Sequence, residues 1–384
     1  MKQGAFTLIF TIILVLVGVI LLLVIGFLWL RKWIQKPDPE YVLNFIAKNP
    51  NRSSLTIVKN GKLHINYQGQ QLRPLASTVK IILAIEFAQQ AATKDIDPSE
   101  LIDVKDLNRF YIPGTDGGAH QEWLHSLDLL TEGKVPLSEV ANGMIAFSSN
   151  ANTEYLMWRL GLERINSNLE KLQLSMHEEI FPIVSYLLIP YEVAKAHHLD
   201  IFDRNQAKKV LSLVKEMSKE AYKNEANRIH AILSQDSDGK YKEQANLAAW
   251  HNLGFDQIAS RKLVRATTSE YVSIVQKINN TSFFSQEVID QLQAIMEWPM
   301  KNSSNQDRFL HLGGKGGSTA EIVTFALFAE DKQGNKTEIA VFFEDVHGYE
   351  TVKLSTSLSD FQLAILTNYT EWHEKIASAL KGNN

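Results

Sequence analysis

Residues Ala5 to Leu30 carry no charged side chain over 26 consecutive positions. As a helix rising 1.5 Å per residue, such a run reaches about 39 Å, against a bilayer hydrocarbon core of about 30 Å. A buried helix of a globular domain seldom runs so far without a polar face, so the segment reads as a membrane span. Trp29, Arg31, Lys32, Trp33 and Lys36 follow it as an interfacial anchor, and no small-residue cleavage site comes after. An uncleaved signal anchor over residues 1–36 is therefore expected, with a separate body over 37–384. Lys2 precedes the span whereas Arg31, Lys32 and Lys36 follow it; counted alone, those charges would put the body in the cytoplasm.

The rest of the chain has a globular composition. Over 384 residues, 45% are hydrophobic and 21% charged, too apolar and too nearly neutral for a disordered chain. A net charge of −4 from 39 basic and 43 acidic residues offers no phosphate-neutralising surface, so nucleic acid is not an expected partner. Cysteine is absent, which excludes disulfides, a thiolate nucleophile, cysteine-ligated zinc and iron–sulfur clusters. The histidines, His197-His198 included, lack metal-ligand spacing, and neither a metal nor another cofactor is expected.

Two apolar-rich runs, Leu55–Val58 and Leu63–Tyr67, flank Lys59-Asn60-Gly61-Lys62. Asn-Gly between such runs is a hairpin signal, because both residues tolerate positive φ. Tyr41 to Ala47 reads as a short amphipathic helix. From about Ser77 to Ile295 the pattern is mainly helical. Glu321–Ala329 and Thr337–Phe343 then read as strands, and Ser357–Leu380 as one closing amphipathic helix. Strands from both chain ends with helices between them predict an α+β fold: an antiparallel sheet flanked by helices, plus an inserted all-helical lobe.

Three short motifs carry possible chemistry. In Pro74-Leu75-Ala76-Ser77-Thr78-Val79-Lys80, Ser77 stands where a helix should begin and Lys80 lies three residues on, sharing its face. A serine hydroxyl needs a nearby base, and a desolvated lysine can be one. An N-capping serine beside a solvated lysine would account for the same residues. Ser148-Ser149-Asn150 sits between helical patterns as a tight turn, which capping alone would also explain. Leu312-Gly313-Gly314-Lys315-Gly316-Gly317-Ser318 runs into the Glu321–Ala329 strand. It reads either as a lysine among glycines at a strand edge, where a ligand can lie close against backbone, or as a flexible glycine turn; the spacing and following helix of a phosphate loop are absent.

In order, these motifs resemble the S-x-x-K, S-x-N and K-T/S-G signatures of the penicillin-recognising serine hydrolases, in particular the class A β-lactamase-like branch. The resemblance covers roughly residues 40–381 and is especially close to the membrane-anchored serine hydrolase relatives of Gram-positive bacteria. It implies a β-lactamase/transpeptidase-like fold. It further implies that Ser77 attacks a carbonyl to form an acyl-enzyme, and that Lys80 takes its proton. Ser148 would pass a proton to the leaving nitrogen, while Asn150 would bond Lys80 and the substrate amide. Lys315 would attract a substrate carboxylate and depress the Ser148 pKa. The oxyanion hole would be the amides of Ser77 and Ser318, with Gly317 alongside in the substrate-binding edge.

The chain departs from the family at three places. Ser149 stands where an Asp is usual, and Gly316 where a hydroxyl residue is usual, with Ser318 or Thr319 as possible substitutes for that hydroxyl. The E-x-x-L-N pattern that supplies a deacylating Glu is absent: counted forward from Ser148 its position falls on Val184, and counted back from Ala266–Glu270 it falls near Asn252, with no Glu at either. Glu178 and Glu179 read as structural or surface residues. The stretch from Ser148 to Lys315 is longer than in the family, so a helical, charge-rich insertion is expected at about 190–250, either a solvated extension or a lid. Gly114 to His120 falls where a loop rims the cleft, and Asp116 or His120 could meet substrate there.

The resulting expectation is a single-pass, membrane-anchored serine hydrolase acting on an amide or β-lactam carbonyl, with little or slow turnover of penicillins. Wall-directed chemistry would put its body outside the cytoplasmic membrane, against the charge count. Its partners would be the membrane and a small-molecule or peptidoglycan-peptide substrate. A D-alanyl-D-alanine carboxypeptidase, and a penicillin sensor or cell-wall binding module without turnover, remain open alternatives.

Overall fold

The computed structural model describes residues 2–127, 133–280 and 282–381. Helix α1 (Lys2–Gln35) leads into α2 (Pro39–Lys48), then the hairpin β1 (Ser53–Lys59) and β2 (Lys62–Tyr67). The helical middle includes α3 (Lys80–Ala92), α4 (Asn150–Leu160), α5 (Arg204–Glu216), α6 (Lys219–Gln235), α7 (Thr268–Asn279) and α8 (Gln286–Met296). Strands β3 (Phe309–Ser318), β4 (Val323–Asp331) and β5 (Lys336–Phe343) follow, and α9 (Tyr349–Thr367) and α10 (Tyr369–Leu380) close the chain. The strands form a five-stranded antiparallel sheet in the order β2-β1-β5-β4-β3, so the N-terminal hairpin pairs with the last strand of the chain.

The hairpin forms as its turn chemistry dictates: Asn60 has φ 48° and Gly61 φ 74°, the two positive values of a tight two-residue turn. Strand alternation sends apolar side chains to both faces of the sheet. Leu55, Ile57, Val323, Leu327, Ile339, Val341 and Phe343 pack with α2, α9 and α10. Ala326, Phe328, Ala340 and Phe342 face the helical lobe, where Tyr271 of α7 meets the Phe342 ring edge-on at 5.4 Å between centroids. Helix α3 is the axis of that lobe, with Ile81 through Ala88 buried.

The structure differs from the sequence expectation at two elements. Of the two readings of the glycine-rich third motif the structure has the strand edge and not the turn: the motif is part of β3, the sheet's edge strand; a segment with so few side chains shows no period-two pattern to mark it as a strand. The closing helix is two helices, broken at Asn368, whose φ −136° and ψ 60° are not helical.

The charge-rich segment around 190–250 is helical and well packed. Val210 and Val214 of α5, and Tyr222, Ala226, Ile229 and Leu233 of α6, are buried in the main core. Their charged neighbours occupy the opposite faces, which accounts for the composition.

Candidate active site

Ser77 lies in a 3-10 turn, Ala76–Val79, immediately before α3. Ala76 has φ 45°, a left-handed conformation that a residue with a Cβ adopts only at a cost. The turn is pinned against the sheet. Thr78 Oγ1 lies 2.7 Å from Thr324 Oγ1, and Thr324 Oγ1 lies 2.8 Å from the Leu75 carbonyl. Gly317 makes the approach possible: a Cβ there would stand 2.4 Å from Ser77 N and 2.8 Å from Thr78 N. Any side chain at 317 would push the sheet edge off the turn that carries Ser77.

Lys80 opens α3 and is fully buried. Its Nζ lies 2.8 Å from the Ser148 carbonyl, 3.1 Å from Ser148 Oγ and 2.9 Å from Asn150 Oδ1. A neutral amine can satisfy all three: it donates its two hydrogens to the carbonyl and the amide oxygen, and its lone pair accepts from the Ser148 hydroxyl. Burial holds this amine well below the usual lysine value, reinforced by the nearby Lys315 charge and opposed by Asp116. Among the described residues Lys80 makes no hydrogen bond to Ser77. The direct hydroxyl–amine contact that i, i+3 spacing allows is not a hydrogen bond here, the Lys80 amine being turned to Ser148 and Asn150.

Ser148 follows a widened helical turn, Gly143–Phe147, and has φ 69°. This left-handed residue reverses the chain into α4, where Ser149 caps by accepting from Asn152 N at 3.2 Å. The Ser149 hydroxyl also meets His120 Nδ1 at 2.9 Å. His120 is buried beneath the motif and does not line the cleft. Asp116 does line it, and it braces Asn150 by accepting from its backbone N–H at 3.4 Å.

Lys315 projects from β3 with its amine donating to the Gly316 carbonyl at 2.7 Å. Burial pushes its pKa down to about 7. Gly316 faces the ring of Phe325 on β4, and a Cβ at 316 would stand 2.8 Å from that ring. Ser77, Ser148, Asn150, Lys315, Gly317 and Ser318 all line one cavity of about 430 Å³; Lys80 lies beneath its floor. Thr319, the other candidate hydroxyl, is bonded by Ser260 Oγ at 2.8 Å.

A second cavity, about 420 Å³, reaches Ser77 and Ser318 from the other side and is walled by Tyr186, Leu247, His251 and Asp256. Its His251 Nε2 lies 3.2 Å from Asp256 Oδ1. Val184 N is held by the carboxylate of Glu154, a fully buried residue of α4 that also binds Ser185 N at 3.2 Å and His230 Nδ1 at 3.0 Å. Glu178 and Glu179 pair with Lys219 and Lys223 of α6 and line neither cavity. Sequence reasoning missed Phe325, Glu154 and the His251–Asp256 pair. A glutamate on the apolar face of α4 was the one available signal, since a buried carboxylate requires partners.

A family model described as the beta-lactamase enzyme family matches residues 40–360 of the chain. No curated protein matches it. Among solved structures, the chain is similar to a β-lactamase from Sphaerobacter thermophilus, with TM-score 0.52 and 16% identity over 85% of this chain and 96% of that one. It is also similar to a β-lactamase from Chitinophaga pinensis, with TM-score 0.51 and 13% identity over 85% and 99% of the two chains. At these identities the likeness is one of fold.

Proposed function

The chain belongs to the beta-lactamase enzyme family, and from that premise we propose that it is a membrane-anchored acyl-serine hydrolase with Ser77 as nucleophile. The observation that carries this reading is the convergence of Ser77, Ser148, Asn150 and Lys315 on one cavity above a buried, weakly basic Lys80. Ser77 attacks an amide or β-lactam carbonyl. Its proton leaves through the neutral Lys80 amine, relayed by Ser148, whose hydroxyl then supplies a proton to the departing nitrogen. The backbone amides of Ser77 and Ser318 receive the developing oxyanion, where loss of one donor typically costs about 10²–10³ in rate. Lys315, cationic below about pH 7, attracts an anionic substrate group.

Residues 1–36 form the anchor and the remainder the hydrolase domain, with the body outside the cytoplasmic membrane. α1 contains the candidate span Leu16–Gln35. The natural substrate is an amide of small-molecule or peptidoglycan-peptide type. A long-lived acyl-enzyme, as in a penicillin sensor, is favoured over rapid lactam turnover by one observation: neither Val184 nor Asn252 supplies a carboxylate, and Glu154 is turned to Val184 N and lines neither cavity that reaches Ser77. The test is mass spectrometry after exposure to several penicillins and cephalosporins. Wild type is expected to gain the mass of one acyl group, and Ser77→Ala none; an unmodified wild type would overturn the nucleophile assignment.

A further inference from the structure

Helix α1 does not end free of the body. Lys353 of α9 is buried, and its amine donates to the Trp33 carbonyl at 2.8 Å and the Lys36 carbonyl at 2.7 Å. The last carbonyls of a helix lack internal donors and carry partial negative charge, so a lysine there both caps and attracts. The same amine lies 4.7 Å from the centre of the Trp33 ring. Thr356, one turn further along α9, sits with its hydroxyl 3.3 Å from the Ile34 carbonyl while it also reaches the Val352 carbonyl of its own helix at 3.0 Å, and Ser357 Oγ accepts from Asp38 N at 3.0 Å. The chain between span and body is thus clamped along one face of α9.

Another face of α9 enters the catalytic cavity, through Ser355, Leu358 and Ser359. The clamping face continues to the helix start in exposed apolar side chains: Tyr349 and Val352, on the Thr356 side of the helix, are 53% and 44% exposed beside Trp33, itself 36% exposed, and the Trp33 and Tyr349 rings are 6.2 Å apart. Arg31, Lys32 and Lys36 are exposed at the same level of the anchor. Aromatic rings and basic side chains at the end of a span have the composition of a membrane–water interface. Ser355 follows Val352 by one helical turn, an axial rise of about 5 Å.

We infer that the body lies on the bilayer it is anchored in, through Trp33, Tyr349 and Val352, so that the catalytic cleft opens at the headgroup level. The partner surface is the headgroup region of that leaflet, favoured where it is anionic. The cleft would then meet substrates carried in the same leaflet. This rests on the anchor reading proposed above.

Because the chain has no cysteine, one can be introduced for labelling. Full-length Val352→Cys, carrying an environment-sensitive fluorophore, is reconstituted in phosphatidylcholine–phosphatidylglycerol vesicles. The reference is Lys332→Cys, in the β4–β5 turn near the far end of α9. Quenching of the 352 probe by lipid-borne nitroxide, and protection from aqueous iodide, is expected; the 332 probe should behave oppositely. A flexible Gly-Ser insertion between Lys36 and Pro37, alone and combined with Lys353→Met, should abolish the lipid quenching while the protein still floats with vesicles. Flotation with a 352 probe as open to iodide as the 332 probe would overturn the inference and leave the anchor standing. Failure to float would overturn the anchor reading and the inference together.

Discussion

Gly316 and Phe325 oppose one another across β3 and β4, and the ring occupies the space a side chain at 316 would need, with 2.8 Å between ring and a built Cβ. The family's usual hydroxyl at this position is thus excluded by a neighbour and not merely absent. Gly316→Thr alone is expected to destabilise by about 1–3 kcal/mol, the range for overpacking, measured by urea unfolding. Gly316→Thr with Phe325→Leu should recover most of that loss and speed labelling by a carboxylate-bearing fluorescent penicillin. A double variant no faster than wild type would mean the hydroxyl has no part in recognition here.

The two buried lysines set a pH profile. Burial lowers the Lys80 pKa well below the usual lysine value, so the neutral base is present above that lowered value and is lost as pH falls through it. Burial also brings Lys315 to about 7, so its charge is present below that pH and lost above it. For an anionic substrate the second-order acylation constant should therefore fall as pH rises through about 7, a falling limb where the Lys315 charge is lost, and fall also as pH drops through the lowered Lys80 value. Stopped-flow labelling across pH checks this. Lys315→Met should remove the falling limb and lower the overall rate.

Glu154 organises the loop around Val184 and Ser185. Its carboxylate serves Val184 N, Ser185 N, Ser185 Oγ and His230 Nδ1. Glu154→Ala leaves these groups buried without an acceptor and should cost roughly 2–4 kcal/mol. Ile183, Tyr186 and Leu187 wall the second cavity, so acylation should slow as well. Chemical denaturation and labelling rate together test this; a variant with unchanged stability would sink it.

Hydrolysis of an acyl-Ser77 ester needs a base for water. His251, paired with Asp256, faces the second cavity, which reaches Ser77. Any slow deacylation is expected to depend on it, so His251→Asn should lengthen acyl-enzyme lifetime without changing the acylation rate. Time-resolved intact mass spectrometry measures both. Equal lifetimes would leave direct attack by bulk water as the route.

Much of this architecture is written locally. An uncharged run longer than a bilayer core, Asn-Gly between apolar runs, and alternating Val, Ile and Phe in β4 and β5 each follow from nearest neighbours along the chain, and the serine, lysine and asparagine motifs are legible as residue types at fixed spacing. What tertiary structure decided is which groups meet. Lys80 turns to Ser148 and Asn150, 68 and 70 positions away; Phe325 fills the space at Gly316; Lys353 caps a helix that ends more than 300 residues earlier. Hydrogen bonds and steric exclusion act over a few ångströms in space, whatever the separation in sequence. A local pattern can therefore name the side chains available, and only the packed chain determines their partners.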